Sequence, residues 1–325
     1  ETLDELGMSC VALEDYPNAT FSGFVKRLRP KQTNITNEKY MGFYLRSKFF
    51  RKIMTNNAIM TLRASLNEDI FSYLKLYLPD YQTQSEIGEF LFLINSKIEL
   101  NNTINAEIEK LIKTIYDYWF VQFDFPTEKG KPFKKDGGKM IWNEQLKREI
   151  PVGWDTCLVG NLLNTEKTAK KIPASEICDV GNIPVVDQST EFIAGFTNDE
   201  SARIKCDEPR IVFGDHTRVV KLINFDFARG ADGTQILLSK ERRMPQHVFY
   251  LSLLKIDLSN YGYARHFKFL KETRIVIPDA ITATLFETLA KDYYERIANN
   301  ILENQKLEEL RDWLLPLLMN GQVSV

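Results

Sequence analysis

The chain has 325 residues, 44% hydrophobic and 12% aromatic, and a formal net charge of −2. That is enough apolar material for two or three ordinary cores, so a wholly disordered chain is excluded. The longest apolar stretches, Glu89 to Ile98 and Trp313 to Met319, fall far short of the roughly 20 residues a membrane-spanning helix needs.

No signal peptide is expected at its start, and the cysteines, Cys10, Cys157, Cys178 and Cys206, are too scattered for a disulfide framework or a zinc cluster. A soluble cytoplasmic protein with reduced, structural thiols is expected. Residues 1–80 form a first globular head. Between Thr20 and Asn56 it carries nine Lys or Arg against one acid, Glu38, so the near-neutral total hides segregated charge. Lys26, Arg27, Arg29, Lys48, Arg51 and Lys52 are candidates for contact with a phosphate backbone; the plainer role for each is a solvated face.

Residues 81–123 repeat apolar side chains three and four apart: Ile87, Phe90/Leu91, Ile94, Ile98, Ile104, Ile108, Leu111 and Ile115. This spacing predicts a helix about 50 to 60 Å long whose narrow seam needs a partner helix. Residues 124–152 are rich in Lys, Gly and Pro without helical periodicity and read as a linker. Residues 153–279 form a second, mixed α/β head, with Ile183–Val186, Arg210–Phe213 and Ile275–Ile277 as strands. From Ser201 to Leu270 twelve basic residues face seven acidic ones. Residues 280–325 are a second long helix, and from Ile281 onward four basic residues stand against seven acidic.

The two halves repeat. At an offset of 199 residues, Leu78-Pro79-Asp80 matches Ile277-Pro278-Asp279, and the match continues without a gap through Ile98 with Ile297, Asn101 with Asn300, Asn105 with Asn304 and Ile115 with Leu314. Upstream, Phe43-Tyr44-Leu45 matches Phe249-Tyr250-Leu251, and Phe24 to Leu28 loosely matches Arg218 to Leu222. Each repeat is a head followed by a long helix. The simplest packing is antiparallel, as two coiled-coil-like helices with a pseudo-twofold relation between the heads. Two basic heads on a stiff spacer suit a split target on duplex DNA, whose helical turn is about 34 Å. The second head begins near Ile150, so the same offset would start the first head roughly 50 residues before Glu1; a truncated first head is expected.

The second repeat carries Ile150-Pro151-Val152-Gly153-Trp154, Pro184-Val185-Val186-Asp187-Gln188, Phe192-Ile193-Ala194-Gly195-Phe196, Gly214-Asp215-His216-Thr217-Arg218, Ala231-Asp232-Gly233 and Arg265-His266-Phe267-Lys268-Phe269-Leu270. The chain closes with Leu307-Glu308-Glu309-Leu310-Arg311-Asp312-Trp313-Leu314-Leu315-Pro316. Together these phrases resemble the specificity subunit of type I restriction-modification enzymes, over essentially the whole chain. The resemblance implies two target-recognition domains separated by long antiparallel helices, each domain reading half of a split double-stranded DNA sequence. It implies two methyltransferase (modification) subunits docked on the helices and motor-nuclease (restriction) subunits joining them. S-adenosylmethionine, ATP and Mg are expected on those partners and none on this chain, and no membrane is involved. Two departures are the missing start of the first recognition domain and Met319-Asn320-Gly321 in place of a Ser-Gly ending.

Residues for catalysis are missing. None of the sixteen glycines makes a G-x-G, no G-K-[ST] cradles a phosphate, no Asn or Asp precedes Pro-Pro-Tyr/Phe, and no acid stands two residues before a lysine. A non-catalytic subunit is expected. Asp215-His216-Thr217 reads as a loop-organising turn with Arg218 at its edge; His266, beside Arg265 and Lys268, reads as a phosphate-facing surface or a structural turn. Arg, Lys and Gln suit base edges and phosphates, so Gln188, Arg203, Lys205, Arg218, Lys221, Arg242, Arg243, Arg265 and Lys268 are the second head's candidates. Tyr116, Trp119 and Phe120, and Trp313, Leu314 and Leu317, are candidates for partner docking; sealing each helix end against its own head is the alternative. A coiled-coil adaptor whose heads bind proteins is the second reading, and an orphan nuclease a third.

Overall fold

The computed structural model describes residues 7–56, 73–164, 169–230, 233–262 and 265–325, with the backbone of two short strands at 59–60 and 64–65. The chain divides into two compact units, Glu1–Thr103 with Ile301–Val325, and Ile104–Asn300.

In the first unit, residues 7–36 contain no helix or strand. Helix α1 (Glu38–Tyr44) starts on Asn37, whose side-chain oxygen accepts from the Tyr40 amide at 3.0 Å. Helix α2 (Lys48–Asn56) follows, then strands β1 (Ile59–Met60) and β2 (Ala64–Ser65), paired antiparallel, and the long helix α3 (Tyr81–Tyr116). Tyr40, Phe43, Tyr44, Phe50 and Met54 pack with Ile87 and Leu91 of α3 and with Leu318 into one core. The buried Gln84 amide ties the irregular chain to this core: its oxygen accepts from the Asn37 amide and its nitrogen donates to the carbonyls of Ile35 and Pro79. A side chain at Gly88 would stand 2.6 Å from the Tyr40 amide nitrogen, so only glycine lets α1 come this close.

In the second unit α3 closes with a π turn, Asp117–Val121. The chain continues through β3 (Met140–Asn143), β4 (Arg148–Pro151), β5 (Asp155–Leu158), α4 (Val159–Leu162), β6 (Lys171–Ile172), β7 (Ile183–Val186), β8 (Gly195–Thr197) and β9 (Arg203–Ile204). Then come β10 (Arg210–Gly214), β11 (Val220–Ile223), β12 (Phe227–Gly230), β13 (Thr234–Leu237), α5 (Gln246–Leu254), α6 (His266–Glu272), β14 (Arg274–Ile277) and the last helix α7 (Ala280–Met319). The three strands expected from β-branched runs are thus present as β7, β10 and β14. Strand β12 lies parallel to both β6 and β7; β8 pairs antiparallel with β7 and β9 with β12. Ile172, Ile183, Val185, Ala202 and Ala228 form the core on one face of this sheet. A second sheet, β11-β10-β13, is antiparallel throughout, and β5 pairs with β14. Every residue of α5 from Gln246 to Leu253 is buried, as its apolar surface on all sides requires.

The two long helices begin on one device, Pro-Asp-x-x-Thr. Asp80 accepts from the Thr83 amide and hydroxyl, and Asp279 from the Thr282 amide and hydroxyl. The helices run antiparallel in both units: Arg311 donates to Asn95 and Asn101 to Asn304 in the first, while Asn300 donates to Asn105 and Phe286 meets the Tyr116 ring in the second. Since Asn101 matches Asn300 and Asn105 matches Asn304, each asparagine pair is the other's image under the repeat. The Phe-Tyr-Leu match is structural too: α1 packs on Ile87 and Leu91, and Tyr250 of α5 packs on Tyr294 at the equivalent stretch of α7. The loose upstream match ends differently, with β11 at Val220–Ile223 but no strand at residues 24–28.

Residues 124–152, rich in Lys and Gly, are anchored to the second unit. Phe125 stacks on Trp154 with ring centroids 5.2 Å apart, and Trp154 also meets Phe120 and Phe123. The Asp124 carboxylate, 3% exposed, accepts from the Lys135 amide and pairs with its ammonium at 3.1 Å. Composition read these residues as a tether; the aromatics at their start pin them down.

Candidate nucleic-acid interface

Strand β10 ends at Gly214, and residues 215–218 turn the chain back into β11. Gln188, in the loop after β7, holds this turn from outside: its backbone carbonyl accepts from the Thr217 hydroxyl at 2.6 Å and its side-chain oxygen from the His216 amide at 3.2 Å. Asp215 binds two further segments. Its amide donates to the Gly233 carbonyl at 2.6 Å, its carbonyl accepts from the His266 amide at 2.9 Å, and its carboxylate accepts from the Phe267 amide at 2.8 Å at the start of α6. Four loops are thereby tied at one place. Gly214 and Gly233 make the approach possible, since a side chain on the first would collide with Thr217 and on the second would lie 2.5 Å from the Gln188 amide oxygen. Gly233 is also left-handed, with φ +69°. Arg218 adopts φ +64° without being glycine, a sparsely populated conformation of the kind found at ligand-binding turns.

His216, Arg218, Arg265 and Lys268 are exposed around this knot, and among the described residues none of them forms an ion pair. Lys205 and Arg242 are exposed and unpaired in the same sense. A cavity of about 290 Å³ opens beside Arg218, walled by Phe213, Val220, Leu253, Leu258 and Leu270, with Asp257 facing it. Residues 231 and 232 of the Ala-Asp-Gly phrase lie outside the described residues.

The other candidate readers have partners within the chain. Lys221 is 4% exposed; its ammonium donates to the carbonyls of Asp187 and Glu191, and burial pulls its pKa down. It shapes the 187–191 loop and faces no solvent. Arg203 makes a two-pronged pair with Glu200, at 2.7 and 2.8 Å, and a longer one with Asp226. Arg243 lies near Asp155 and Glu241. His266 is buried with its Nδ1 3.0 Å from the Asp215 carbonyl, so of its two readings the structural turn holds and the phosphate-facing surface does not. Gln188 positions the turn. In the first unit Lys26, Arg27, Arg29, Lys48 and Lys52 are exposed, Arg27 lying over the Phe21 ring, and Arg51 is half-buried.

Of the docking candidates, Tyr116 and Phe120 are buried. They pack with Trp119 and Trp154 around Phe286, and Tyr116 shares a 2.8 Å hydrogen bond with Ser252. Burial pushes the Tyr116 hydroxyl up to about 12. These side chains seal the end of α3 within their own unit. Leu314 packs on the first unit's core, Leu317 is half-buried and Trp313 is 64% exposed. Asp215-His216-Thr217, expected from sequence to organise a loop, ties several loops together; sequence reasoning passed over Arg229, for which a basic residue inside the apolar run Phe227-Ala228-Arg229-Gly230 was the available signal. Among the described residues no group of His, Cys, Asp and Glu is placed to hold a metal, and no helix is long and apolar enough to cross a membrane.

Residues 7–110 match the family described as the type I restriction modification DNA specificity domain. Over 97% of its length the chain is 24% identical to the specificity subunit of the type I restriction enzyme MjaIX of Methanocaldococcus jannaschii, covering 75% of that protein. The likeness in sequence is to type I restriction specificity subunits. The HindI specificity subunit of Haemophilus influenzae is 22% identical over 78% of this chain and 70% of its own. The crystal structure of a type I restriction-modification S subunit from M. genitalium superposes with a TM-score of 0.54 at 14% identity, over 87% of this chain and 72% of that one. That likeness shows a shared fold, which in this chain combines mixed α/β units with two long antiparallel helices.

Proposed function

We propose that this specificity subunit is the non-catalytic DNA reader of its system, and that the loops tied by Gln188 and Asp215 read one part of a bipartite duplex target. The observation that carries the reading is a surface knot of hydrogen-bonded loops, with His216, Arg218, Arg265 and Lys268 exposed around it and in no ion pair among the described residues. Rigid loops carrying free cations position a protein on phosphates and bring donors to base edges. The first unit, through Lys26, Arg29, Lys48 and Lys52, contacts the backbone near the other part. The long helices receive two methyltransferase subunits, with exposed Trp313 part of the docking face, and motor-nuclease subunits complete the restriction complex. S-adenosylmethionine, ATP and Mg²⁺ chemistry belongs to those partners, in the cytoplasm of a prokaryote.

The experiment is duplex binding by the full chain over a salt series, followed by methylation of a plasmid library with its modification subunits, read by sequencing of modified bases. Salt-sensitive binding and a split methylated motif are expected. Assembly with the modification subunits but no salt-dependent DNA binding would replace this reading with a protein-binding adaptor, because counterion release accompanies every neutralised phosphate.

A further inference from the structure

Arg229, on β12, is 6% exposed, and its Nε is buried without a hydrogen-bond partner among the described residues. Among the described residues no carboxylate pairs with it. Burial alone lowers its pKa. Its register neighbour on the parallel strand β6 is Lys171, exposed and equally without an ion pair among the described residues; on β7 it is Val186. Strand alternation puts Arg229 and Lys171 on one face, opposite the core face that carries Ile172, Val185 and Ala228. Two cations are therefore cross-strand neighbours, one of them desolvated, with no anion pairing with either among the described residues. Like charges so placed are destabilising, and an unpaired buried charge more so, unless a ligand compensates them. The strand that carries Arg229 runs into the reading loops, for a side chain on the next residue, Gly230, would lie 2.5 Å from Asp187 Cβ, and Gln188 follows.

We infer that Arg229 and Lys171 form an anion site that takes a phosphodiester group of the bound duplex, Lys171 at the surface and Arg229 beneath it. This rests on the DNA-reading function proposed above. A free phosphate ester offers the same chemistry, and the two sources are separable.

The test uses the full chain as wild type, Arg229→Met and Lys171→Met. Duplex binding is measured over a salt series, and melting is measured in sodium phosphate and in sodium chloride at equal ionic strength. Each variant should bind duplex about three- to tenfold more weakly at moderate salt, with a log–log salt slope smaller by about one. Arg229→Met should melt at or above wild type in chloride, since it removes a buried charge without a partner, and should lose the wild type's stabilisation by phosphate. Lys171→Met lies at an exposed position and carries the slope test even if Arg229→Met does not fold. Unchanged slopes in variants of a chain that still binds duplex would overturn the anion site and leave the DNA-reading function standing. A wild type that binds no duplex, yet shows a phosphate shift dependent on Arg229, would overturn the duplex as ligand in favour of a free phosphate ester.

Discussion

Burial by itself would raise the Asp279 carboxyl, but the hydroxyl and amide of Thr282 and the Trp154 indole outweigh it and hold it below the ordinary carboxylate value. A depressed folded-state pKa contributes stability that is present above the unfolded value, about 3.9, and is lost as pH falls through the folded value. Asp279→Asn keeps the cap but not the charge. Its melting deficit relative to wild type should be full at pH 6, shrink below pH about 4 and vanish in stronger acid; a deficit that stays constant with pH would contradict the assignment. Asp279→Ala should cost about 1 to 2 kcal/mol at neutral pH, since the cap of α7 and the partner of the Trp154 indole are lost together. At Gly233 the constraint is steric. Gly233→Ala must strain a left-handed residue and displace Gln188, so a loss above about 1 kcal/mol in denaturant melts is expected, with duplex affinity falling as the 215–218 turn loosens.

Among the elements, α3 and α7 meet through an apolar seam interrupted by buried asparagines. Such residues lower stability but penalise slipped registers, where their amides would face hydrocarbon. In the first unit, Asn101→Leu alone should cost about 1 to 3 kcal/mol by stranding the Asn304 oxygen, whereas adding Asn304→Leu should return much of that. A double-mutant cycle with no coupling between them would rule out the pairing. This seam was legible in advance because helix periodicity is local: Ile87, Ile94 and Ile98 show it unaided, and the 199-residue offset showed that it recurs. Sheet order was not legible, because β12 finds its neighbours β6 and β7 far back along the chain. The site was legible by residue type but not by direction. A lysine reads alike whether its ammonium reaches a phosphate or, as in Lys221, two carbonyls of its own chain; His266 turns inward to Asp215 and Arg203 pairs at the surface with Glu200, partners that composition does not reveal.

For the whole molecule the charge is −2, so affinity for a polyanion must come from local sets of unpaired cations. The second unit offers Arg218, Arg265 and Lys268; the first offers Lys26, Arg29 and Lys52. All are exposed, so reversing their charge should change melting by less than about 0.5 kcal/mol each. On the proposed function, with methyltransferase subunits assembled on the chain, the triple variant Arg218→Glu, Arg265→Glu and Lys268→Glu should lose or relax one part of the methylated motif, because the cationic donors that the tied loops present are replaced while the tie through Gln188 and Asp215 is kept. Lys26→Glu, Arg29→Glu and Lys52→Glu should instead weaken methylation evenly across sequences, as loss of phosphate contacts does. The contrast is informative because both triples change the net charge equally. If both weakened methylation to the same degree and neither altered the motif, long-range electrostatics alone would explain them, and base reading would have to reside in side chains other than those around the Gln188 knot.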